Sequence, residues 1–220
     1  MKYVKKISVC LFGLLLYGSG MFLNIKANIG LSPWSAFAMG ISNVTGILYG
    51  NASVAIGVVL IFFDILLKEN IGIGSILNAI LVGKIVDILE FLGVVPMIEN
   101  YLAGVGVLIL GQILIAVGSY FYMSAELGCG PRDSLMLAFD RRITKLPIGV
   151  IRSSMELIVT VIGGLLGAKI GLGTLLCVIT IGFFIQMVFK LFRYDASMIE
   201  HENLMVTYRQ IFKHRKNQPE

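Results

Sequence analysis

The stretch "LGCGPRDSL", residues 127–135, sets two glycines and a proline before the adjacent Arg132 and Asp133. Residues 29–37, "IGLSPWSAF", carry the same skeleton without the charges. Gly128 and Gly130 can adopt φ > 0, which lets a chain reverse tightly. Pro131 suits the first helical position, where its missing N–H costs nothing, and Ser32 before Pro33 is a good N-cap. Each stretch therefore predicts the start of a short helix whose unpaired N–H groups and positive dipole end can hold an anionic group. Ser32, Pro33, Gly128, Gly130, Arg132 and Asp133 form the expected substrate-binding set. The plainer reading is a pair of capped turns, with Arg132 and Asp133 solvated at a membrane surface.

A second set lies inside apolar runs. Lys84 and Asp87 are three residues apart, and Arg152 and Glu156 four, so each pair shares one helix face. Ionisable groups at membrane depth point to a polar pathway; self-neutralised pairs with snorkelling Lys84 and Arg152 stems are the structural alternative. Gln186 takes the place in the second half of the chain that Asp87 holds in the first, which predicts two helices facing one cavity. Asp64 lies one turn from a helix end, and Gln112 reads as a helix–helix hydrogen bond.

Enzymatic chemistry is not expected. The two histidines, His201 and His214, lie in the tail, and "HENLM" puts Met205 where a zinc-protease motif needs its second His. "YGSG" (17–20) has no partnered base. Cys10, Cys129 and Cys177 are scattered and form no C-x-x-C pair, so neither a disulfide framework, a metal centre nor a cofactor is expected.

These residues must be positioned by apolar helices. Only 14% of the 220 residues are charged, against about 25% in soluble domains, and mean hydropathy is +0.88. Apolar runs at 7–25, 52–67, 74–92, 101–123, 149–168 and 171–189 mostly approach the ~20 residues that cross a bilayer. The composition predicts an all-α, polytopic transmembrane bundle whose surroundings are lipid. The net charge of +5 is not gathered into a basic surface, so no nucleic-acid partner is expected. Lysines at 2, 5 and 6 and the basic residues at 213, 215 and 216 place both termini in the cytoplasm. Trp34 and the tyrosines suit interfacial anchoring. Residues 193–220 read as a cytoplasmic amphipathic tail behind a single transmembrane domain, 1–192.

That domain contains a repeat, about 7–92 and 101–192. At an offset of 98, Gly13, Gly20 and Gly30 fall on Gly111, Gly118 and Gly128, and Pro33 falls on Pro131. At 99, Gly50, Gly72, Gly74 and Gly83 fall on Gly149, Gly171, Gly173 and Gly182. Of the 11 glycines between residues 9 and 90, seven find a glycine, where roughly one would by chance at glycine's overall frequency. A first run that is repeated at 101–123 is a retained span, not a signal peptide.

Residues 131–143 have only six uncharged positions between Asp133 and Asp140, and each charge at the bilayer centre costs at least ~2.5–3.5 kcal/mol. The reading is three spans plus a re-entrant or short half-helix per repeat, six crossings in all, with the halves inverted. The alternative is eight spans, four and four.

A small-solute transporter or channel with its site at the repeat interface follows from this plan; a membrane-embedded scaffold or regulator of a partner is the alternative. A second copy of the chain is an allowed partner. "GLSPW" (30–34), "TGILYGN" (45–51), "GIGSILNAILVGKIVD" (72–87) and "LGCGPRD" (127–133) resemble the YczE/YyaS/YitT-type family of bacterial integral membrane proteins. The likeness covers about residues 7–192. It implies a multi-pass protein of the bacterial inner (cytoplasmic) membrane and supplies no substrate.

Overall fold

A computed structural model describes residues 2–143 and 148–194. Lys145, both histidines and the tail from 195 onwards lie outside the described residues. The described chain is all helical: α1 (Lys2–Lys26), α2 (Pro33–Thr45), α3 (Tyr49–Leu66), α4 (Ile73–Phe91), α5 (Tyr101–Ser124), α6 (Pro131–Arg142), α7 (Ile148–Leu165) and α8 (Leu172–Leu191).

Four helices, α1, α3, α5 and α8, are long and apolar enough to cross a membrane. α4 is as long but carries Lys84, Asp87 and Glu90, and α7 is apolar over Ser153–Leu165 apart from Glu156. α2 has 13 residues and α6 has 12. At about 1.5 Å per residue they are roughly 20 and 18 Å long, short of the ~30 Å hydrocarbon core.

Proline sets where both short helices begin. Ser32 and Gly130 precede them in extended conformation, and neither supplies a side-chain cap. The Ser32 hydroxyl instead donates to Ser35 Oγ at 2.8 Å. Gly130 has φ −63° rather than the positive φ expected. The reversal is made two residues earlier: Gly128 has φ +122° and its match, Gly30, φ +134°, a region where a side chain is strained.

Two faces of the bundle are marked by ion pairs. On one, Lys6 Nζ meets Glu126 at 2.8 Å and Arg141 meets Glu69 at 3.1 Å. On the other, Lys26 Nζ meets Glu90 at 2.7 Å and Lys169 Nζ donates to Asn28 Oδ1 at 2.6 Å. The first face holds the start of α1 and the ends of α3, α5 and α6. The second holds the ends of α1, α4 and α7.

Glycines bring the helices together. α1 and α5 cross in opposite directions: a Cβ on Gly13 would lie 2.8 Å from the Gly118 carbonyl oxygen, and one on Gly118 would lie 2.7 Å from that of Gly13. One turn pair away, Gly20 and Gly111 block each other in the same way, at 2.5 and 2.7 Å. With no hydrophobic drive between helices in lipid, such small-residue seams let backbones approach closely enough for dispersion to hold them.

Other contacts recur at the sequence offset. Gly74 N–H donates to the Leu127 carbonyl at 2.7 Å, and Gly173 N–H to that of Ile29 at 2.9 Å. Gly72 N–H donates to Ser75 Oγ, and Gly171 N–H to Thr174 Oγ. α2 packs on α7 as α6 packs on α3. α3 and α4 form a close seam, whereas α7 and α8 share no comparable one.

Candidate functional site

The starts of α2 and α6 meet at a cavity of about 1030 Å³. Ser32, Pro33 and Trp34 line it from one short helix, and Gly130, Pro131, Arg132 and Asp133 from the other. The Arg132 guanidinium lies over the Trp34 ring, 5.0 Å from its centroid. This cation–π contact joins the two half-helices across the middle of the chain.

α5 supplies the opposite wall. Gln112, Ile115, Ser119 and Tyr122 line the cavity, and their 3-4-3 spacing puts them on one helix face. Gln112 and Tyr122 are almost fully buried. The Gln112 amide donates to Cys177 Sγ on α8 at 3.0 Å, as a helix–helix bond. Its carbonyl oxygen and the Tyr122 hydroxyl have no hydrogen-bond partner among the described residues. Tyr122 Oη stands at the start of α6, 3.2 Å from where a Gly130 Cβ would be. Most buried polar groups are bonded; these two oxygens are enclosed behind the cavity surface without a partner among the described residues.

Charges gather towards the face that holds Lys6. Glu69 and Asn70 of the α3–α4 loop line the cavity, as does Arg141 near the end of α6. The Glu69 side chain is only 6% exposed and is held by Arg141 at 3.1 Å and Arg142 at 3.7 Å. Arg142 also donates to the Leu67 carbonyl at 2.6 Å. Glu156 enters the cavity wall from α7. Cys129, in the loop before α6, shares a 2.9 Å contact with Ser134 Oγ.

Residues 4–190 match a family of unknown function, DUF6198. The chain belongs to the DUF6198 family. It is 33% identical over 176 residues to "Uncharacterized membrane protein YczE" of Bacillus subtilis, covering 79% of this chain and 80% of that protein. An "Uncharacterized protein" of Haemophilus influenzae is 33% identical over 182 residues, 83% of this chain and 82% of its own. "Uncharacterized protein YyaS" of Bacillus subtilis is 29% identical over 169 residues, 76% and 83%. No solved structure matches. With the apolar helices, these relatives make the DUF6198 chain a membrane protein in contact with lipid.

Of the expected substrate-binding residues, Ser32, Pro33, Gly130, Arg132 and Asp133 come together at the cavity, and Gly128 does not. A Gly128 side chain would strike Ser75 Oγ at 2.6 Å and the Gly72 backbone at 2.8 Å, so this glycine serves the approach of the loop to the start of α4. Trp34, expected as an interfacial anchor, lines the cavity.

The expected polar pathway divides. Glu156 lines the cavity; Arg152 lies on α7, and its side chain is outside the described residues. Lys84 and Asp87 are turned to α3: Lys84 donates to Asn51 Oδ1, and Asp87 accepts from the Gly50 N–H at 2.7 Å. Asp87 is therefore a carboxylate at a helix N-terminus, favoured by the free N–H groups and dipole there. Gln186 is exposed on the outer surface of α8, so it shares no cavity with Asp87. The physical reason is the missing α7–α8 seam: Asp87 has α3 beside it, and Gln186 has no equivalent neighbour.

Asp87→Ala should lower stability by about 0.5–2 kcal/mol, the usual cost of losing a helix-terminal acceptor, and leave ligand affinity unchanged. Thermal unfolding beside a binding isotherm checks this; a loss of affinity at unchanged stability would return Asp87 to the pathway.

Proposed function

We propose that this protein is a six-crossing, inverted-repeat membrane protein of the bacterial inner membrane. It binds a small solute in the cavity between its two half-helices and carries it across. α1, α3, α4, α5, α7 and α8 are the crossings, and α2 and α6 re-enter without crossing. Support comes from the paired contacts. Adding 98 turns the contact of Gly13 with Gly118 into that of Gly111 with Gly20, as a twofold axis in the membrane plane between the antiparallel α1 and α5 would require. Such an arrangement with broken helices at mid-depth is the plan of many secondary transporters.

The basic residues agree on orientation. Lys6, Arg141 and Arg142 share the face that would be cytoplasmic, with both termini on that side.

The observation that carries the proposal is the cavity itself, with the starts of both half-helices and the side chains of Arg132, Asp133 and Glu156 in its wall. A scaffold has no need of a polar-lined cavity of that size. A pool of small metabolites offered to proteoliposomes tests it. At least one solute should accumulate over empty liposomes, and Glu156→Gln, kept at equal amount and stability, should lose most of that uptake. Absence of any solute above the empty control, or full uptake by Glu156→Gln, counts against transport through this cavity.

A further inference from the structure

Beside the large cavity the fold holds a smaller pocket, and the sequence offset links the two. The pocket, about 160 Å³, lies on the face that holds Lys26, with Leu31, Met39, Asn43 and Lys169 in its wall. Adding 98 to the first three positions gives Cys129, Leu137 and Arg141, and taking 99 from that of Lys169 gives Asn70. All four of these counterparts line the cavity of about 1030 Å³. Asn70, in the α3–α4 loop, and Arg141, near the end of α6, stand at its end on the Lys6 face. The small pocket is thus made from the same positions of the other repeat.

What differs is how the walls are tied. On the Lys26 face the Leu31 N–H donates to the Lys169 carbonyl at 3.1 Å, joining the loop before α2 to the loop after α7. The Asn43 amide donates to the Gly167 carbonyl at 2.9 Å, and Lys169 Nζ to Asn28 Oδ1 at 2.6 Å. On the Lys6 face the end of α6 is tied to the chain after α3 by Arg142 on the Leu67 carbonyl and by Arg141 on Glu69. Ala168 holds the position that corresponds to Glu69, and Asn43 that of Arg141. Two long charged side chains keep the inner walls apart, whereas alanine and a short amide draw the outer walls together.

We infer that the small pocket is the outer mouth of the solute pathway, shut in this structure, and that it opens as the inner mouth closes. Two repeats of one plan can each take the arrangement that the other now holds, which is how alternating access works in inverted-repeat carriers. The outer ties are few and are ordinary hydrogen bonds, so they can break and reform. Once they part, Asn43 and Lys169 face the solute path as Arg141 and Asn70 now do. The inference rests on the inverted-repeat transport reading and assigns the residues of its outer gate.

Cysteines at two matched positions read the two mouths: Met39→Cys for the outer and Leu137→Cys for the inner. Both are placed in the full-length chain with its three native cysteines replaced by alanine. A bulky, membrane-impermeant maleimide is applied to the outside of spheroplasts, and a second impermeant thiol reagent to inverted vesicles made from them. In the otherwise native chain Leu137→Cys should label from the cytoplasmic side and Met39→Cys hardly at all from outside. Asn43→Ala with Lys169→Ala removes two of the outer ties. Labelling of Met39→Cys should then rise roughly tenfold, as the loss of two ordinary hydrogen bonds allows. Chains that carry the bulky adduct at Met39→Cys, which props the outer mouth open, should lose nearly all labelling at Leu137→Cys. Lys169→Ala alone, a change at an exposed side chain, should act in the same directions by less.

No rise at Met39→Cys in either folded variant would overturn the outer mouth. A rise that leaves Leu137→Cys as reactive as before would also overturn the inference, because the pocket would then only have loosened locally. Failure of the transport reading is separable. If a solute accumulates in proteoliposomes while Met39→Cys stays out of reach, transport stands and this gate is lost. If the two mouths alternate and no solute accumulates, the gate stands and the uptake claim is lost.

Discussion

Gly118→Leu is expected to abolish accumulation of folded protein. The glycine lies where α1 and α5 pass, and a Cβ there would stand 2.6 Å from Tyr17 N and 2.7 Å from the Gly13 carbonyl oxygen. Both obstacles are backbone, so no side-chain rotation relieves them. Overpacking a core commonly costs ~1–3 kcal/mol where side chains can shift; here the helices must separate, and the cost should exceed that range. Gly13→Leu should behave alike, because its obstacles are the Gly118 carbonyl and the Tyr122 backbone.

Gly106 on the same α5 helix has nothing within 4 Å of its missing Cβ. Gly106→Leu should therefore fold normally, or slightly better through the gain in helix propensity, ~0.8–1 kcal/mol at most. Size-exclusion profiles of the three variants from equal membrane fractions give the comparison. A monodisperse Gly118→Leu protein with wild-type unfolding temperature would show that α1 and α5 do not cross here.

The second large effect runs against the usual direction. Tyr122→Phe should make the protein more stable. The hydroxyl is buried with no partner among the described residues, and an unsatisfied buried polar group costs about 1–3 kcal/mol. Removing it keeps the ring and its packing. For a chain of this size the gain corresponds to about 2–4 °C in unfolding temperature per kcal/mol. A Tyr122→Phe protein less stable than wild type would mean the hydroxyl has a partner.

Much of the architecture is legible in the residues, for identifiable reasons. Proline fixes where α2 and α6 start, and the charges after Pro131 limit what that segment can cross, so the short helices follow from local chemistry. Matching glycines announce close approaches, and Gly30 and Gly128 do take up positive φ at matched places.

What local patterns do not reveal is which face of an apolar helix meets which neighbour. α5 is apolar nearly all round, so Gln112 reads as a tie between helices, and its amide does bond Cys177 on α8, although the residue also lies along the cavity. The spacing of Gln112, Ser119 and Tyr122 was the available signal, a polar stripe on one face. Asp87 misleads because its partner, the Gly50 N–H, is 37 residues away in sequence. Gln186 misleads because the offset carries over the position of Asp87 and not its neighbour. Asp64, buried on α3 with an unpartnered carboxyl oxygen, is more deeply enclosed than its place near a helix end suggests.

The meeting of the two half-helix starts is the claim on which the cavity and the proposed transport both depend. It is tested most directly by cross-linking Trp34→Cys to Arg132→Cys, in a chain whose three native cysteines are replaced by alanine. In the native protein these side chains stack at 5.0 Å. A short bifunctional thiol reagent should join them in membranes within a single chain, and an occupying ligand should slow the reaction. Two thiols that each react singly and never join, while a Lys6→Cys and Glu126→Cys pair in the same background does, would place the half-helices apart and contradict the account.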